Sequence, residues 1–210
     1  VTLALSEYFV VSTLSVGGWW ICYQLTSYWD TLAHNAFGNF RTLLERVTLS
    51  LVMGLYLNTA YNRKEDANGR RPDENYAREV MQLFTIGLHE LNIDGTEKRD
   101  ALGRPIETYT NDDVTNLARV FTGYEPAPDP GPPLRSDDPR MPTLPTRVPS
   151  VSPMVLNAFW HSTLECRFLG TVIPAGTDGA VALRMALDAL FRHPNVGPFF
   201  ARQMIQRLVV

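Results

Sequence analysis

Cysteine is scarce in this chain. Cys22 and Cys166 are the only two, too few for a disulfide framework and without the spacing of a zinc site. Either they pair in an oxidising compartment or they stand as two buried thiols. Excess charge is also missing: 19 Lys and Arg against 22 Asp and Glu leave a formal −3. The basic residues alternate with acids, as in Arg63-Lys-Glu-Asp66, so the concentrated basic surface that nucleic acid needs is absent and no nucleic-acid partner is expected. No long, unbroken apolar run reads as a membrane span. Between Val1 and Gln24 the only charge is Glu7, but Gly17-Gly18 interrupts the stretch and Ser6, Ser12, Thr13 and Ser15 dilute it. It reads as two helical segments broken at Gly17-Gly18. A basic n-region and an initiator Met are lacking too, so a signal peptide fits poorly.

Signatures of catalysis are equally thin. The chain has no Gly-x-Ser-x-Gly elbow and no phosphate-binding glycine loop; Gly176-Thr-Asp-Gly179 reads as a helix start with Thr177 as cap. His34, His89, His161 and His193 show none of the close pairing of a zinc helix. Glu90, Asn92, Asp94 and Gly95 imitate the opening of a calcium loop, but Ala101 stands where a bidentate Glu is needed, and an ordinary Asp-Gly turn competes with that reading. Ser162 lies beside His161, although sequence neighbours rarely reach nucleophile–base geometry.

The chain does have enough apolar material, 45% of 210 residues, for one substantial core. The run Arg71-Pro-Asp-Glu-Asn-Tyr-Ala-Arg-Glu-Val-Met-Gln-Leu-Phe-Thr-Ile-Gly-Leu88 predicts a helix. Asp73 is placed to cap it, Glu74 sits in its first turn, and Tyr76, Val80, Leu83, Phe84 and Gly87 form its buried face. Asn75, Arg78, Glu79 and Gln82 lie opposite, as a solvated face or as the wall of a site. Glu74 and Glu79 diverge by about 140° around the helix, too far for a carboxylate pair on one small substrate. Glu74 and Arg78 suit an i,i+4 ion pair. Arg119, on the next helix, is the natural partner for an inward-turned Glu79. Arg78, Glu79 and Arg119 are therefore expected to cluster, as a structural lock or around a catalytic carboxylate.

Elsewhere Asn39 to Leu57 predicts one helix with Leu43, Val47, Leu51 and Leu55 along a side. Leu91 to Tyr109 suggests a small β-hairpin turning at Asp94-Gly95 with a long connection, flanked by Leu91, Ile93, Ile106 and Tyr109. Thr110-Asn-Asp-Asp113 is a capping box for a helix carrying Val114, Leu117, Ala118 and Phe121, ended by Gly123. Ten of the 15 prolines fall between Pro126 and Pro153, which excludes helix and central strand there. Leu183, Leu187, Leu190 and Phe191 mark a helix before Pro194; Pro198 opens another through Phe200, Met204, Ile205 and Leu208. The expected fold is mainly α, one multi-helix domain over 1–210. It comprises a helical core over 1–123 with a hairpin near 91–109, a Pro-rich excursion over 124–153 (a long loop near 125–153), and C-terminal helices over 154–210. Both ends open or close inside apolar helical patterns without caps, so the chain reads as a fragment of a longer protein, one expected to associate when made alone.

Several linked motifs follow the central run: Leu91-Asn-Ile-Asp-Gly-Thr96, Gly103-Arg-Pro-Ile106, Tyr109-Thr-Asn-Asp-Asp-Val114 and Leu117-Ala-Arg-Val-Phe-Thr-Gly123. Their order resembles the bacterial family known as domain of unknown function 1800. Ala36-Phe-Gly-Asn-Phe-Arg-Thr-Leu-Leu44 upstream, and Phe168-Leu-Gly170 with His193-Pro-Asn-Val-Gly-Pro198 downstream, extend the likeness over nearly the whole chain, as the central segment of a longer member. The resemblance implies no reaction and specifies no cofactor. It implies an exported (periplasmic or extracellular) bacterial protein. Relatives look to be encoded beside another uncharacterised exported family, which implies a structural or adaptor role with an exported partner. The alternative is a metal-assisted or carboxylate-dependent hydrolase built from Glu79, Arg78, Arg119 and His161, with Asp94 or His161 as metal ligand. Relatives often carry His-Asp and then an acidic–Lys pair where this chain has His161-Ser-Thr-Leu-Glu-Cys-Arg167. Ser162 and Cys166 occupy the Asp and Lys positions, with Arg167 as a nearby cation. Metal binding or proton transfer by that His-Asp pair would be lost here, whereas a structural role for His161 survives. A concave pocket gathering the candidates favours the hydrolase; a dry, paired arrangement favours the scaffold.

Overall fold

The computed structural model describes residues 1–16, 21–128 and 151–209. Apolar residues at three- and four-residue steps turn one side of most helices to a shared interior. The helices are α1 (Thr2–Tyr8), α2 (Thr13–Val16), α3 (Ile21–His34), α4 (Phe40–Thr48), α5 (Leu51–Tyr56), α6 (Asn75–Gln82), α7 (Asn111–Ala118), α8 (Gly179–Arg192) and α9 (Val196–Leu208). A 3₁₀ turn, Arg119–Phe121, extends α7. Two antiparallel pairs complete the fold: β1 (Tyr124–Glu125) with β2 (Val155–Leu156), and β3 (Cys166–Phe168) with β4 (Thr171–Ile173). The chain is thus mainly α, as expected. Phe9, Leu44, Met53, Tyr76, Phe84, Phe121, Phe168 and Leu187 share one continuous core. Tyr76 packs edge-on against Phe121 at 4.8 Å between ring centroids, and its hydroxyl donates to Thr48 Oγ1 at 2.7 Å.

Local chemistry explains three of the helix starts. The Asn39 side chain accepts the Arg41 and Thr42 N–H groups to cap α4. The capping box of α7 is formed: Thr110 Oγ1 accepts from Asp113 N, and Asp113 Oδ2 accepts from Thr110 N at 2.7 Å. Asp113 does more than that, because its other oxygen accepts Leu169 N at 2.8 Å and ties α7 to the β3–β4 turn. At α8 the cap is Asp178, which accepts from Ala180 and Val181, not the expected Thr177. Thr177 instead donates to Pro174 O.

Several boundaries differ from the sequence reading. The single helix over 39–57 is two, broken at Leu49 and Ser50; the Leu49 carbonyl accepts from Met154 N at 2.7 Å, which an uninterrupted helix would forbid. In the N-terminal region the described break falls at 9–12, where the buried Phe9 leaves helical geometry and its carbonyl accepts from Tyr28 at 2.7 Å. The expected break at Gly17-Gly18 lies outside the described residues. Helix α6 stops at Gln82, short of Gly87. Phe84, Thr85 and Ile86 are buried in succession, which one helix face cannot achieve, while Leu83 turns out to solvent. Over 89–107 the backbone makes a three-legged meander of isolated bridges (His89 to Glu107, Leu91 to Glu97, Arg99 to Pro105), not a hairpin with a long connection. Asp94-Gly95 makes the first turn and Asp100 to Gly103 the second. Ile93 sits fully exposed at the first tip. Most of the Pro-rich excursion, 129–150, lies outside the described residues; the β1–β2 pairing brings its two flanks side by side.

Candidate functional site

The sequence candidates fall into separate places. On α6, Arg78 reaches Glu74 at 3.4 Å and Asn111 Oδ1 at 3.2 Å, while Glu74 also accepts the Thr115 hydroxyl at 2.8 Å. Tyr109 donates to Gln82 at 3.0 Å. These bonds form a polar seam between α6 and α7. Arg119 takes no part in it. The 3₁₀ turn after Ala118 swings its guanidinium to Asn116 Oδ1 at 2.8 Å and the Glu165 carbonyl at 2.7 Å. The expected Arg78–Glu79–Arg119 cluster therefore does not form, and Glu79 makes no ion pair within 4 Å among the described residues.

Burial lifts the Glu79 carboxyl above its ordinary value, with the nearby Arg78 opposing the rise. A carboxyl whose folded pKa exceeds its unfolded one costs stability as pH rises through the unfolded value, and the full cost applies above the folded value. Glu79→Gln is therefore expected to melt at higher temperature than the parent at neutral pH. That gain should vanish below the ordinary carboxylate range. Calorimetry across this window checks it; a pH-independent difference would show that Glu79 acts through packing instead.

His161 belongs to a second network, built where three loops meet. Gly123 holds two of them: its N–H donates to Asn62 O and its carbonyl accepts from Asn157 N, both at 2.7 Å. His161 is 4% exposed. Its Nδ1 lies 2.8 Å from the Thr122 carbonyl, an acceptor that fixes the proton on Nδ1. The Thr122 hydroxyl donates to Arg119 O and accepts from Ser162 N at 2.8 Å. Ser162 Oγ donates to Glu65 Oε1 at 2.8 Å, so its proton points to a carboxylate and not to the imidazole. The other Glu65 oxygen is buried with no hydrogen-bond partner among the described residues. His161 Nε2 faces the start of α8, where a Cβ on Gly179 would come within 3.0 Å of it. Burial pushes the nearby Cys166 thiol up to about 12, with Arg119 pulling the other way, so the sulfur stays protonated and weakly nucleophilic at neutral pH. The cavity shared by Arg119, His161, Ser162 and Cys166 is about 10 Å³, roughly the room of one water.

The remaining candidate, Asp94, is solvent-exposed. It accepts the Thr96 N–H at 3.0 Å and the Thr96 hydroxyl at 2.7 Å, and those bonds lower its pKa. Among the described residues no group of three or more His, Cys, Asp or Glu is arranged to hold a metal ion. Cys22 and Cys166 are both free. Sequence reasoning missed Glu65 and Thr122: the first sat in an alternating charge run that read as surface, and the second had no signal beyond its place before Gly123.

No curated protein matches this chain, and no solved structure does. No helix among the described residues is long and apolar enough to cross a membrane. A family model described as "Protein of unknown function (DUF1800)" matches residues 1–210, and the chain belongs to that family.

Proposed function

We propose that this chain is part of an exported bacterial structural or adaptor protein, with the whole stretch acting as one helical domain. The observation that carries this reading is the hydrogen-bonding of His161 and Ser162. Each directs its proton to a fixed internal acceptor, around a cavity too small for any substrate. Such an arrangement positions loops; it does not leave a nucleophile and a base facing one another. The hydrolase alternative has less behind it, because no bond made by Arg78 reaches Arg119 or His161. Support for a docking role comes from a separate surface, which shares no lining residue with that cavity. There Ile93 (97% exposed) and Ile205 (60%) flank a cleft of about 680 Å³ between the meander and α9. Asp94, Glu97, Arg99 and Arg202 line the same cleft, so exposed apolar side chains lie beside charged ones there, the mixture of a partner surface's core and rim. Export and an exported partner rest on the family resemblance.

The test pairs turnover with stability. Ester, phosphoester, peptide and glycoside reporters are offered to the parent and to His161→Ala, and the melting temperature of each is recorded. The expected result is no turnover by either, with a lower melting temperature for the variant, and co-elution of the parent with the neighbouring exported protein. Turnover that His161→Ala abolishes without a change in melting temperature would overturn the reading.

A further inference from the structure

Helix α3 buries the stripe Gln24, Tyr28 and Leu32, one residue per turn. Gln24 is the anomaly. It is 6% exposed, yet its amide makes no hydrogen bond to the described residues. Among the described residues the buried side-chain atoms left without a partner are Thr59 Oγ1 and Glu65 Oε2 and no atom of Gln24, so the Gln24 amide meets open space and not dry core, and a group from outside can bond it. Gln24 lines a cleft of about 320 Å³ between α3 and the α4–α5 break. Other polar groups on its wall are already engaged: Tyr28 donates to Phe9 O and Thr31 to Ser27 O. Three are not. Ser50 precedes α5 but its side chain makes no capping bond. The Ser27 hydroxyl has no partner among the described residues. Arg46 is exposed and makes no ion pair among the described residues, while the adjacent Glu45 is held by Arg41 at 2.7 Å. Leu51 and Val52 supply apolar wall, and no Asp or Glu is among the described residues lining the cleft.

We propose that this cleft binds a small carboxylate carrying an amide and a short apolar group, as in an N-acyl amino acid or the last residue of a peptide. The Arg46 guanidinium takes the carboxylate, with the Ser50 hydroxyl donating a second bond. Gln24 presents a donor and an acceptor on one planar group, the complement of an amide N–H and C=O. Leu51 and Val52 enclose an aliphatic side chain. The volume sits at the small end of ligand sites, which suits one residue and its acyl cap. The acid-free lining disfavours amines and cations.

The test uses the full chain with N-acetyl-L-valine, its amide N-acetyl-L-valinamide, and the peptide acetyl-Gly-Gly-Val with a free or an amidated C-terminus. Binding is followed by calorimetry and thermal shift. The free carboxylates should bind saturably and raise the melting temperature, while the amides should not. Arg46→Ala should weaken binding at least about tenfold and Arg46→Lys much less. Gln24→Met should also weaken binding, yet leave the unliganded protein at or above the parent's melting temperature, since no internal bond is lost. A structural glutamine would predict a fall. Preference for the peptide over the free acyl amino acid, or the reverse, identifies the source of the ligand. No saturable binding at millimolar concentration, or equal binding of acid and amide, would overturn the proposal.

Discussion

Gly123→Ala is expected to destabilise the protein by about 2–5 kcal/mol, because it combines an unfavourable left-handed backbone with a collision. Gly123 has φ +84, a conformation that L side chains rarely adopt. A Cβ there would lie 2.7 Å from the Asn157 carbonyl and 2.9 Å from His161 N. Both are backbone atoms, so no side chain can swing away. The same residue bonds Asn62 O and Asn157 N, so a shift to relieve the contact would loosen the loops that hold His161 and Ser162. Gly103→Ala separates the two contributions. Gly103 has φ +77 but open space where its Cβ would stand, so only the conformational part, about 1–2 kcal/mol, applies. Urea unfolding of both variants is the measurement. Equal losses would remove the collision from the account.

The parts of the fold written locally were legible, and those made by distant contacts were not. The capping box at Thr110 and Asp113 depends on residues three apart and formed as read. So did the core face of α8, since Leu183, Leu187 and Leu190 need only helical spacing to be buried together. The break at Ser50 is different. Its cause is Met154, more than a hundred residues on, whose N–H takes the Leu49 carbonyl. Burial of Phe84, Thr85 and Ile86 in a row likewise reflects a chain passing through the core, which periodicity misreads as a longer helix. The candidate site suffered most. His161 stands out in the sequence, but its partner Thr122 and the Glu65 that holds its neighbour Ser162 lie on two other loops. Helical spacing alone pairs Arg119 with Glu79, because one 3₁₀ turn that redirects a guanidinium leaves no trace in the sequence.

Asn195→Ala is expected to cost about 3–5 kcal/mol, although Asn195 drew notice only as part of His193-Pro-Asn-Val-Gly-Pro198. Its side chain is 2% exposed and joins the start of α9 to the meander and to Ile86 just before it, through three bonds. Oδ1 accepts from Leu91 N at 2.6 Å, and Nδ2 donates to the carbonyls of Ile86 at 2.5 Å and His89 at 2.9 Å. Truncation leaves one N–H and two carbonyls without partners, at about 1–3 kcal/mol for each such group and less than additively. Asn195→Asp sharpens the argument, because it keeps the shape and the acceptor but replaces the donor by an oxygen facing two carbonyls. Ionisation there is disfavoured, so the new carboxyl has a folded pKa above its unfolded one. Its penalty is complete above the folded value and shrinks as pH falls through it toward the ordinary carboxylate range. The gap in melting temperature between Asn195→Asp and the parent should therefore narrow on acidification, while the gap for Asn195→Ala stays level. Parallel pH profiles for the two variants would mean that the amide acts by filling space, and that the bonds to Ile86 and His89 contribute little.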